Sequence, residues 1–239
     1  MISTFSAKLV EKIQLSADVF SVTFTYTDSP LVFLPGQYII AHIPSGTNSV
    51  RRLYSIDTSP EQTESFSLLV RHVPNGIGSS YLHALPLGSE VTFQGPAGLF
   101  TLKETDRPKI YLATGTGITP FLSILRNQLL HPLVPSVPQT LLWGLRTLQE
   151  VYYTEELHTL EKKVNGFTSK ICLSQESTLP DQNGFQTGRI TTALPPLLDL
   201  YKSQGEFYIC GGKDVVAALK QYLLDAEVPS DSIFFERFT

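Results

Sequence analysis

The hydrophobic pattern of this chain changes once, at Asp106-Arg107-Pro108, and that change constrains the fold more than any other feature. Before it, apolar and polar residues alternate, as they do from Phe20 to Tyr26. After it, unbroken apolar runs alternate with helical stretches. Alternation predicts strands buried on one face, whereas unbroken runs predict strands buried on both faces. The sequence therefore predicts two domains, residues 1–103 and residues 104–239.

The first domain is predicted to be an antiparallel β-barrel, because several short strands are separated by turn signals rich in Gly, Pro, Asn and Ser. One short helix, over residues 79–85, interrupts the strands. The predicted strands span residues 20–26, 37–43, 50–57, 66–73 and 90–94.

The second domain is predicted to be an α/β domain, in which a five-stranded parallel sheet is covered by helices on both sides. The predicted strands span residues 109–113, 140–144, 170–174, 206–210 and 233–236. The predicted helices span residues 121–130, 154–163, 191–200 and 214–227.

Composition excludes several classes of function. Eighteen basic against 22 acidic residues give a net charge of −4, which argues against a nucleic-acid-binding protein. Cys172 and Cys210 are too few for an iron–sulfur cluster, so any iron–sulfur partner is expected to be a separate chain. The five histidines show no spacing suited to a metal site. No signal peptide or membrane span is visible, which predicts a cytoplasmic protein.

Two segments of the first domain have the composition of an anion- and ring-binding site. Arg52-Leu53-Tyr54-Ser55 lies on a predicted strand, whose alternation sends Arg52 and Tyr54 to one side. Guanidinium suits phosphate oxygens, and an aromatic face suits a flat ring. In Gly76 to Ser80, glycines lead into a short helix, whose N-terminus favours an anion. Ser79 is predicted to be its N-cap or a phosphate ligand.

Two segments of the second domain follow predicted strands and precede predicted helices, as nucleotide-binding loops do. One is Gly115-Thr116-Gly117-Ile118-Thr119-Pro120, in which the proline suits the first turn of a helix. The other is Cys210-Gly211-Gly212. Each is also compatible with an ordinary tight turn between a strand and a helix.

Taken in this order, the four segments resemble the ferredoxin–NADP reductase superfamily, and Gly95 to Phe100 matches the end of that family's barrel. The resemblance covers residues 5–238. It implies a six-stranded Greek-key barrel that binds FAD, followed by an NAD(P)-binding domain. Tyr54 would pack on the flavin, Arg52 would neutralise a phosphate, and Ser55 would hydrogen-bond near the flavin N5. The implied flavin-binding residues are Arg52, Leu53, Tyr54, Ser55, Gly76, Gly78, Ser79, Ser80, Thr116, Gly117 and Phe238.

The resemblance also implies residues for the nicotinamide nucleotide and for catalysis. Cys210 would position the nicotinamide C4, and Glu236 would lie near the reactive edge of the flavin. Phe238 stands where plant-type members have Tyr, one residue before the end of the chain, so its stacking on the flavin is left open. The implied catalytic residues are Ser55, Cys210 and Glu236. The implied nucleotide-binding residues are Gly115, Thr116, Gly117, Arg146, Gln175, Arg189, Cys210 and Gly211.

The choice between NADPH and NADH depends on cations that face the 2′-phosphate. NADPH-dependent members carry arginines at three places of this domain. Arg146 and Arg189 match two of them, whereas the third carries the neutral Gln175. The sequence therefore favours NADP(H) over NAD(H).

The predicted function is hydride transfer between NAD(P)H and FAD, followed by single-electron transfer to a separate carrier such as ferredoxin or flavodoxin. Two alternatives remain open. The chain is alternatively the NADH-dependent reductase component of an oxygenase system, or a non-catalytic regulatory or scaffold subunit with a degenerate site.

Overall fold

The computed structural model describes three stretches of the chain, residues 2–27, 29–179 and 184–238. These form two compact units. The first comprises Met1–Leu102 with Thr119–Asn127, and the second comprises Lys103–Ile118 with Gln128–Thr239. A helix that follows the first strand of the second unit therefore packs with the first unit. The domain division at residues 103 and 104 stays a prediction.

Six antiparallel strands form the sheet of the first unit, in the order β4-β3-β6-β1-β2-β5. The two edge strands are joined by a bridge between Ile56 and Leu68, and the Asp57 N–H donates to the Ser67 carbonyl at 3.1 Å. This closure confirms the predicted six-stranded antiparallel barrel. The strands are β1 (Ser3–Gln14), β2 (Val19–Tyr26), β3 (Tyr38–Ser45), β4 (Asn48–Ser55), β5 (Ser65–Arg71) and β6 (Glu90–Ala97).

Phenylalanines from alternate positions of four strands fill the barrel. The rings of Phe24 and Phe66 stack with centroids 5.6 Å apart, and Phe93 meets Phe66 edge-on at 5.3 Å. Phe5 stacks on Phe93 at 5.7 Å. Such pairs add about 0.5–1.5 kcal/mol each beyond the area that they bury. The period-two pattern of the sequence therefore places the core as expected.

The sequence did not predict strand β1, although this strand is central in the strand order and pairs with both β2 and β6. Phe5, Ala7 and Leu9 point inward and are buried. Lys8 and Glu11 are exposed on the same strand. The exposed apolar Val10 and the shift of register between Leu9 and Glu11 break the alternation that a hydrophobicity pattern would show.

Among the described residues of the first unit there are two helices, α1 (Ile77–Ala84) and α2 (Thr119–Gln128). Helix α2 is held to the loop after β4 by two side-chain hydrogen bonds. The Ser123 hydroxyl donates to the Thr58 carbonyl at 2.6 Å, and Arg126 donates to the Asp57 carbonyl at 2.7 Å. Both acceptors belong to buried residues, so these bonds hold α2 against the loop after β4.

The second unit contains a parallel sheet in the order β10-β9-β8-β7-β11-β12. Within the described part of the chain it has six strands, so the prediction of five is wrong by one. The additional strand is three residues long and lies at the sheet edge, where Phe185 pairs with Ile171. So short and polar a segment gives no apolar run. The strands are β7 (Lys109–Thr114), β8 (Gln139–Leu145), β9 (Phe167–Leu173), β10 (Phe185–Thr187), β11 (Glu206–Gly212) and β12 (Ile233–Phe238).

Helices cover both faces of this sheet, as predicted. Helices α4, α5 and α6 bury one face around Leu142, Cys172 and Ile209. Helix α3 packs beside β9 on the other face, where the Glu161 carboxylate accepts from the Ser169 hydroxyl at 2.8 Å. The helices are α3 (Thr154–Lys163), α4 (Ile190–Ala193), α5 (Pro195–Tyr201) and α6 (Lys213–Asp225).

The predicted helix over residues 191–200 is two helices, α4 and α5. The second begins at Pro195, which has no N–H to continue the hydrogen-bond ladder of the first. Within the described residues, no helix is long and apolar enough to cross a membrane.

A buried ion pair joins the first residues of β7 and β11. The Lys109 ammonium lies 2.7 Å from the Glu206 carboxylate, and neither side chain is more than 2% exposed. Thr105 and Tyr208 also donate to this carboxylate, at 2.8 and 2.7 Å. Burial alone would raise the pKa of Glu206, but hydrogen bonds from Lys109, Tyr208 and Thr105 lower it overall. The Glu206 carboxylate is therefore ionised in the folded protein near neutral pH.

Removing one partner of this pair is expected to destabilise the second unit. Lys109→Met leaves the Glu206 carboxylate buried without its cation, which costs about 3–5 kcal/mol. The double variant Lys109→Met with Glu206→Leu removes both charges and is expected to recover most of the loss. Thermal unfolding of the three proteins measures this. Equal midpoints for the wild type and Lys109→Met would contradict a charged pair.

The Glu206 pKa also predicts a pH dependence. A carboxyl whose pKa is lowered by folding adds stability above its ordinary pKa, and that contribution is lost as the pH falls. The wild type should therefore lose more stability on acidification than the double variant does.

Candidate functional site

In the first unit, Arg52 and Tyr54, two of the residues predicted to bind the flavin, lie against the first turn of α1. Arg52 and Tyr54 occupy alternate positions of β4 and so share one side of the strand. A Cβ added to Gly78 would lie 2.7 Å from both Arg52 Cγ and the Tyr54 hydroxyl oxygen. The absence of a side chain at Gly78 thus lets the helix start, the arginine and the tyrosine meet.

The loop before α1 is a tight turn that aims the helix N-terminus. The Gly76 N–H donates to the Val73 carbonyl at 2.9 Å, and Asn75 has φ 61°, as a type II turn requires after Pro74. The Ser79 hydroxyl closes the same loop by accepting the Val73 N–H at 3.0 Å. The prediction that Ser79 is the N-cap is wrong. Gly76 holds that position, and no side chain among the described residues caps the helix.

The first helical hydrogen bond of α1 runs from the Ser80 N–H to the Gly76 carbonyl, at 2.9 Å. The N–H groups of residues 77–79 precede this bond, so they have no partner within the helix.

Leu53 and Ser55 point to the opposite side of β4 from Arg52 and Tyr54. Leu53 is 56% exposed, whereas Ser55 is buried.

This arrangement fits a dinucleotide that carries a flat ring and a diphosphate. Helix amides and a guanidinium stabilise phosphate oxygens, and a half-buried phenol ring offers an apolar face. Burial raises the pKa of Tyr54 to about 12, against the smaller opposing effect of the Arg52 charge. The phenol is therefore neutral at physiological pH and is able to donate a hydrogen bond.

In the second unit, the predicted nucleotide loops of β7 and β11 touch through their backbones. A Cβ added to Gly117 would lie 2.2 Å from the Cys210 carbonyl oxygen and 2.8 Å from Gly211 Cα. One added to Gly211 would lie 2.2 Å from the Thr114 hydroxyl. Glycine is therefore required at both positions for the carboxyl ends of these neighbouring strands to pack so closely.

The turn after β7 is held by a tryptophan that sequence reasoning did not single out. Gly115 to Ile118 form a single 3-10 turn, and Gly115 has φ 54°. The Trp143 indole N–H donates to the Gly115 carbonyl at 2.9 Å, and its ring packs edge-on against Tyr152 at 4.8 Å. Trp143 is fully buried. Helix α2 then begins at Thr119, with the expected proline in its first turn.

Cys210 lies at the end of β11, in register with Glu236 on β12. It is 1% exposed, and burial, with a further contribution from the Glu236 charge, raises the pKa of its thiol well above the ordinary value. A neutral, buried thiol acts through packing and not as a nucleophile. Phe238 is in register with Gly212 on the same pair of strands. The roles of Glu236 and Phe238 at the flavin stay predictions.

The three places proposed for the 2′-phosphate follow neighbouring strands of the sheet. Arg146 follows β8, Gln175 follows β9, and Arg189 follows β10, so all three lie at one edge. The Gln175 N–H donates to the Arg146 carbonyl at 2.8 Å. Arg146 is not free, because its guanidinium pairs with Glu150.

Sequence reasoning missed Trp143 and Glu150, and a signal existed for each. Trp143 is the one tryptophan of the chain and lies two residues before the end of a buried strand. Glu150 is four residues after Arg146, a spacing at which opposite charges meet in helical turns. The turn itself, over Leu148–Glu150, was not predicted.

Models of two protein families match this chain, in the order that the two sites suggest. Residues 6–102 match the oxidoreductase FAD-binding domain, and residues 111–221 match the oxidoreductase NAD-binding domain. These two domains define an oxidoreductase that uses FAD and a nicotinamide nucleotide. The chain belongs to the ferredoxin–NADP reductase superfamily, which confirms the resemblance seen in its sequence.

Relatives within this superfamily serve different electron-transfer systems. Ferredoxin–NADP reductase B of Sorangium cellulosum is 31% identical over 242 residues, covering 98% of this chain and 97% of its own length. The electron transfer component of 2-halobenzoate 1,2-dioxygenase of Burkholderia cepacia is 32% identical over 240 residues. The Amycolatopsis cytochrome P450 reductase GcoB is 26% identical in sequence, and its crystal structure matches the whole of this chain with a TM-score of 0.88.

The chain is shorter than several of these proteins. The match with the Burkholderia cepacia component covers 99% of this chain but only 68% of that protein. The match with GcoB covers 70% of the GcoB chain. The reductase component of propane 2-monooxygenase of Mycolicibacterium goodii is 31% identical, and the match covers 59% of its length.

Replacing Gly117 is expected to impair nucleotide binding. Gly117→Ala places a Cβ within 2.2 Å of a backbone oxygen, so the two loops must separate. Gly212→Ala is the matched control, because no described atom lies within 4 Å of a Cβ there and its φ is −65°. The Michaelis constant for NAD(P)H should rise at least several-fold in Gly117→Ala, because a displacement of the loops that costs about 1 kcal/mol of binding already corresponds to roughly fivefold. It should stay within about twofold of wild type in Gly212→Ala. Equal constants in the two variants would contradict the close packing.

Proposed function

We propose that this chain is a reductase that oxidises NAD(P)H at an FAD and passes the electrons singly to a separate protein carrier of the ferredoxin or flavodoxin class. The observation that carries the proposal is the presence of both sites in one chain. Gly78 brings Arg52 and Tyr54 to a helix N-terminus, and Gly117 brings two strand ends into backbone contact. A degenerate scaffold subunit has no need of either arrangement.

When bound, FAD supplies the exchange between the hydride of NAD(P)H and single electrons. The protein contributes position and charge. Arg52 and the first turn of α1 would hold the diphosphate, and Tyr54 would pack on the ring system. Ser55 would donate or accept a hydrogen bond near N5. Cys210 would shape the surface on which the nicotinamide rests, because its thiol is buried and uncharged.

The preference for NADP(H) over NAD(H) is part of the proposal. Arg146 and Arg189 are exposed at the same edge of the sheet and would face the 2′-phosphate. Gln175 contributes no charge there. A cytoplasmic location also stays a prediction from the sequence.

A second candidate function is the reductase component of an oxygenase system that uses NADH. The relatives described as electron transfer or reductase components of dioxygenases and monooxygenases favour it. The relative that this chain matches almost end to end is described as a ferredoxin–NADP reductase, and this favours the first candidate. The two candidates differ in the nucleotide and in the carrier, not in the flavin chemistry.

Purified protein tests the proposal directly. It should be yellow, and denaturation should release FAD, because the flavin segments offer no His or Cys for a covalent link. It should reduce a one-electron dye with NADPH, and more slowly with NADH. FMN in place of FAD, or no flavin after reconstitution, would overturn the assignment. A flavoprotein with faster turnover on NADH would instead support the oxygenase candidate.

Variants of β4 are expected to separate flavin binding from flavin reduction. Tyr54→Ala should weaken FAD retention, because a lost aromatic contact costs about 0.5–1.5 kcal/mol beyond its buried area. Ser55→Ala should keep FAD but slow its reduction by NADPH about tenfold or less, as one lost hydrogen bond of about 1 kcal/mol implies. Ser49→Ala, at the exposed start of the same strand, is the control. Rapid mixing that shows wild-type reduction in Ser55→Ala would place Ser55 away from N5.

A further inference from the structure

The loops that follow β8 and β9 form one connected surface at the edge of the second sheet. The N–H groups of Ser174 and Gln175 donate to the carbonyls of Leu145 and Arg146, at 3.0 and 2.8 Å. The Glu176 carboxylate accepts the Leu148 N–H at 2.8 Å. These bonds fix the backbone of the segment that carries Arg146.

Within this surface, Glu150 binds Arg146 at two points. One carboxylate oxygen accepts the Arg146 backbone N–H at 2.9 Å. The other lies 2.5 Å from the guanidinium Nε. The arginine side chain is 53% exposed and that of the glutamate is 22% exposed, so both are open to a ligand. Because the backbone bond also anchors Glu150, the carboxylate stays beside the guanidinium.

Among the described residues of these two loops and of the segment that follows β10, Arg146 and Arg189 bring two positive charges, and Glu150 and Glu176 bring two negative ones. A 2′-phosphate that approaches Arg146 must share the guanidinium with Glu150 and also lies near that carboxylate. A ribose that carries a hydroxyl in place of the phosphate does not meet this repulsion.

We propose that Glu150 is a specificity-determining residue, which limits the preference of the site for nucleotides that carry a 2′-phosphate by neutralising Arg146. The inference rests on the proposed function and deepens it. It assigns to one carboxylate the balance between NADPH and NADH. Glu150 would not touch the nicotinamide or the flavin, and it would act on the adenosine end of the nucleotide alone.

Binding of adenosine nucleotides tests the proposal without turnover. Titration calorimetry compares 2′-phospho-AMP with AMP, on the FAD-loaded wild type and on Glu150→Gln. The glutamine keeps an oxygen for the Arg146 N–H but removes the charge. Affinity for 2′-phospho-AMP should rise about threefold to tenfold, because one exposed charge is removed beside a phosphate that carries nearly two. Affinity for AMP should stay within about twofold.

A matched control separates the ion pair from the general field of the loops. Glu176→Gln removes one carboxylate from the same surface but leaves the Arg146–Glu150 pair intact, so it should change 2′-phospho-AMP affinity clearly less than Glu150→Gln does. The difference should also shrink at high salt, as exposed charges are screened. Glu150→Ala repeats the test if the glutamine variant folds poorly.

Three results would overturn the proposal. Glu150→Gln that binds 2′-phospho-AMP more weakly would show that the carboxylate orients Arg146 for the phosphate. Unchanged affinity would show that the pair is irrelevant to the nucleotide. An equal gain in Glu176→Gln would assign the effect to the overall charge. Failure of the proposed function is a different observation, namely wild-type protein that oxidises neither NADPH nor NADH.

Discussion

The edge of the second unit that is proposed to bind the nucleotide depends on one close approach between two backbones. The turn after β7 passes so near to the end of β11 that a methyl group on Gly117 would overlap the Cys210 carbonyl. Two further features lie beside this contact. Cys210 is buried at the edge of the sheet, and Glu236 is held beside it in register. Trp143 fixes the other side of the turn through Gly115. A rigid edge of this kind leaves the nucleotide little to reorganise on binding.

The first unit also brings its proposed binding residues close together, but through a barrel strand and the start of a helix. A barrel closed by the Ile56–Leu68 bridge supports a strand whose Arg52 and Tyr54 share one side. A turn through Asn75 then brings the start of a helix against both. Here too a glycine, Gly78, sets the distance. In each unit, a glycine determines how near a loop comes to the neighbouring strand.

The sequence was most informative where local periodicity and packing agree. Alternation in β2 and unbroken runs in β7 and β8 reflect how each strand is buried, so the barrel and the parallel sheet were both predictable. Strand β1 was not, because the exposed apolar Val10 and a shift of register between Leu9 and Glu11 interrupt its alternation. Strand β10 was not, because three residues at a sheet edge carry too little hydrophobicity.

The site was predictable to the extent that glycines and strand ends mark it. The capping role of Ser79 was wrong, because the turn before α1 uses that hydroxyl to bind Val73. The pairing of Arg146 with Glu150 depends on a 3-10 turn that propensity does not reveal. A count of arginines therefore overstates the positive charge offered to a phosphate, since counting ignores which of them are neutralised.

Anaerobic rapid mixing of the FAD-loaded protein with NADPH or NADH tests the central claim most directly. The visible absorbance of the flavin is followed before any acceptor is added, and its rate of loss is compared with steady-state turnover. If the chain is a reductase that oxidises NAD(P)H at its bound FAD, the flavin is bleached at least as fast as the enzyme turns over. A one-electron acceptor then restores the colour. Bound FAD that neither nucleotide reduces, or reduces more slowly than turnover, would contradict the account.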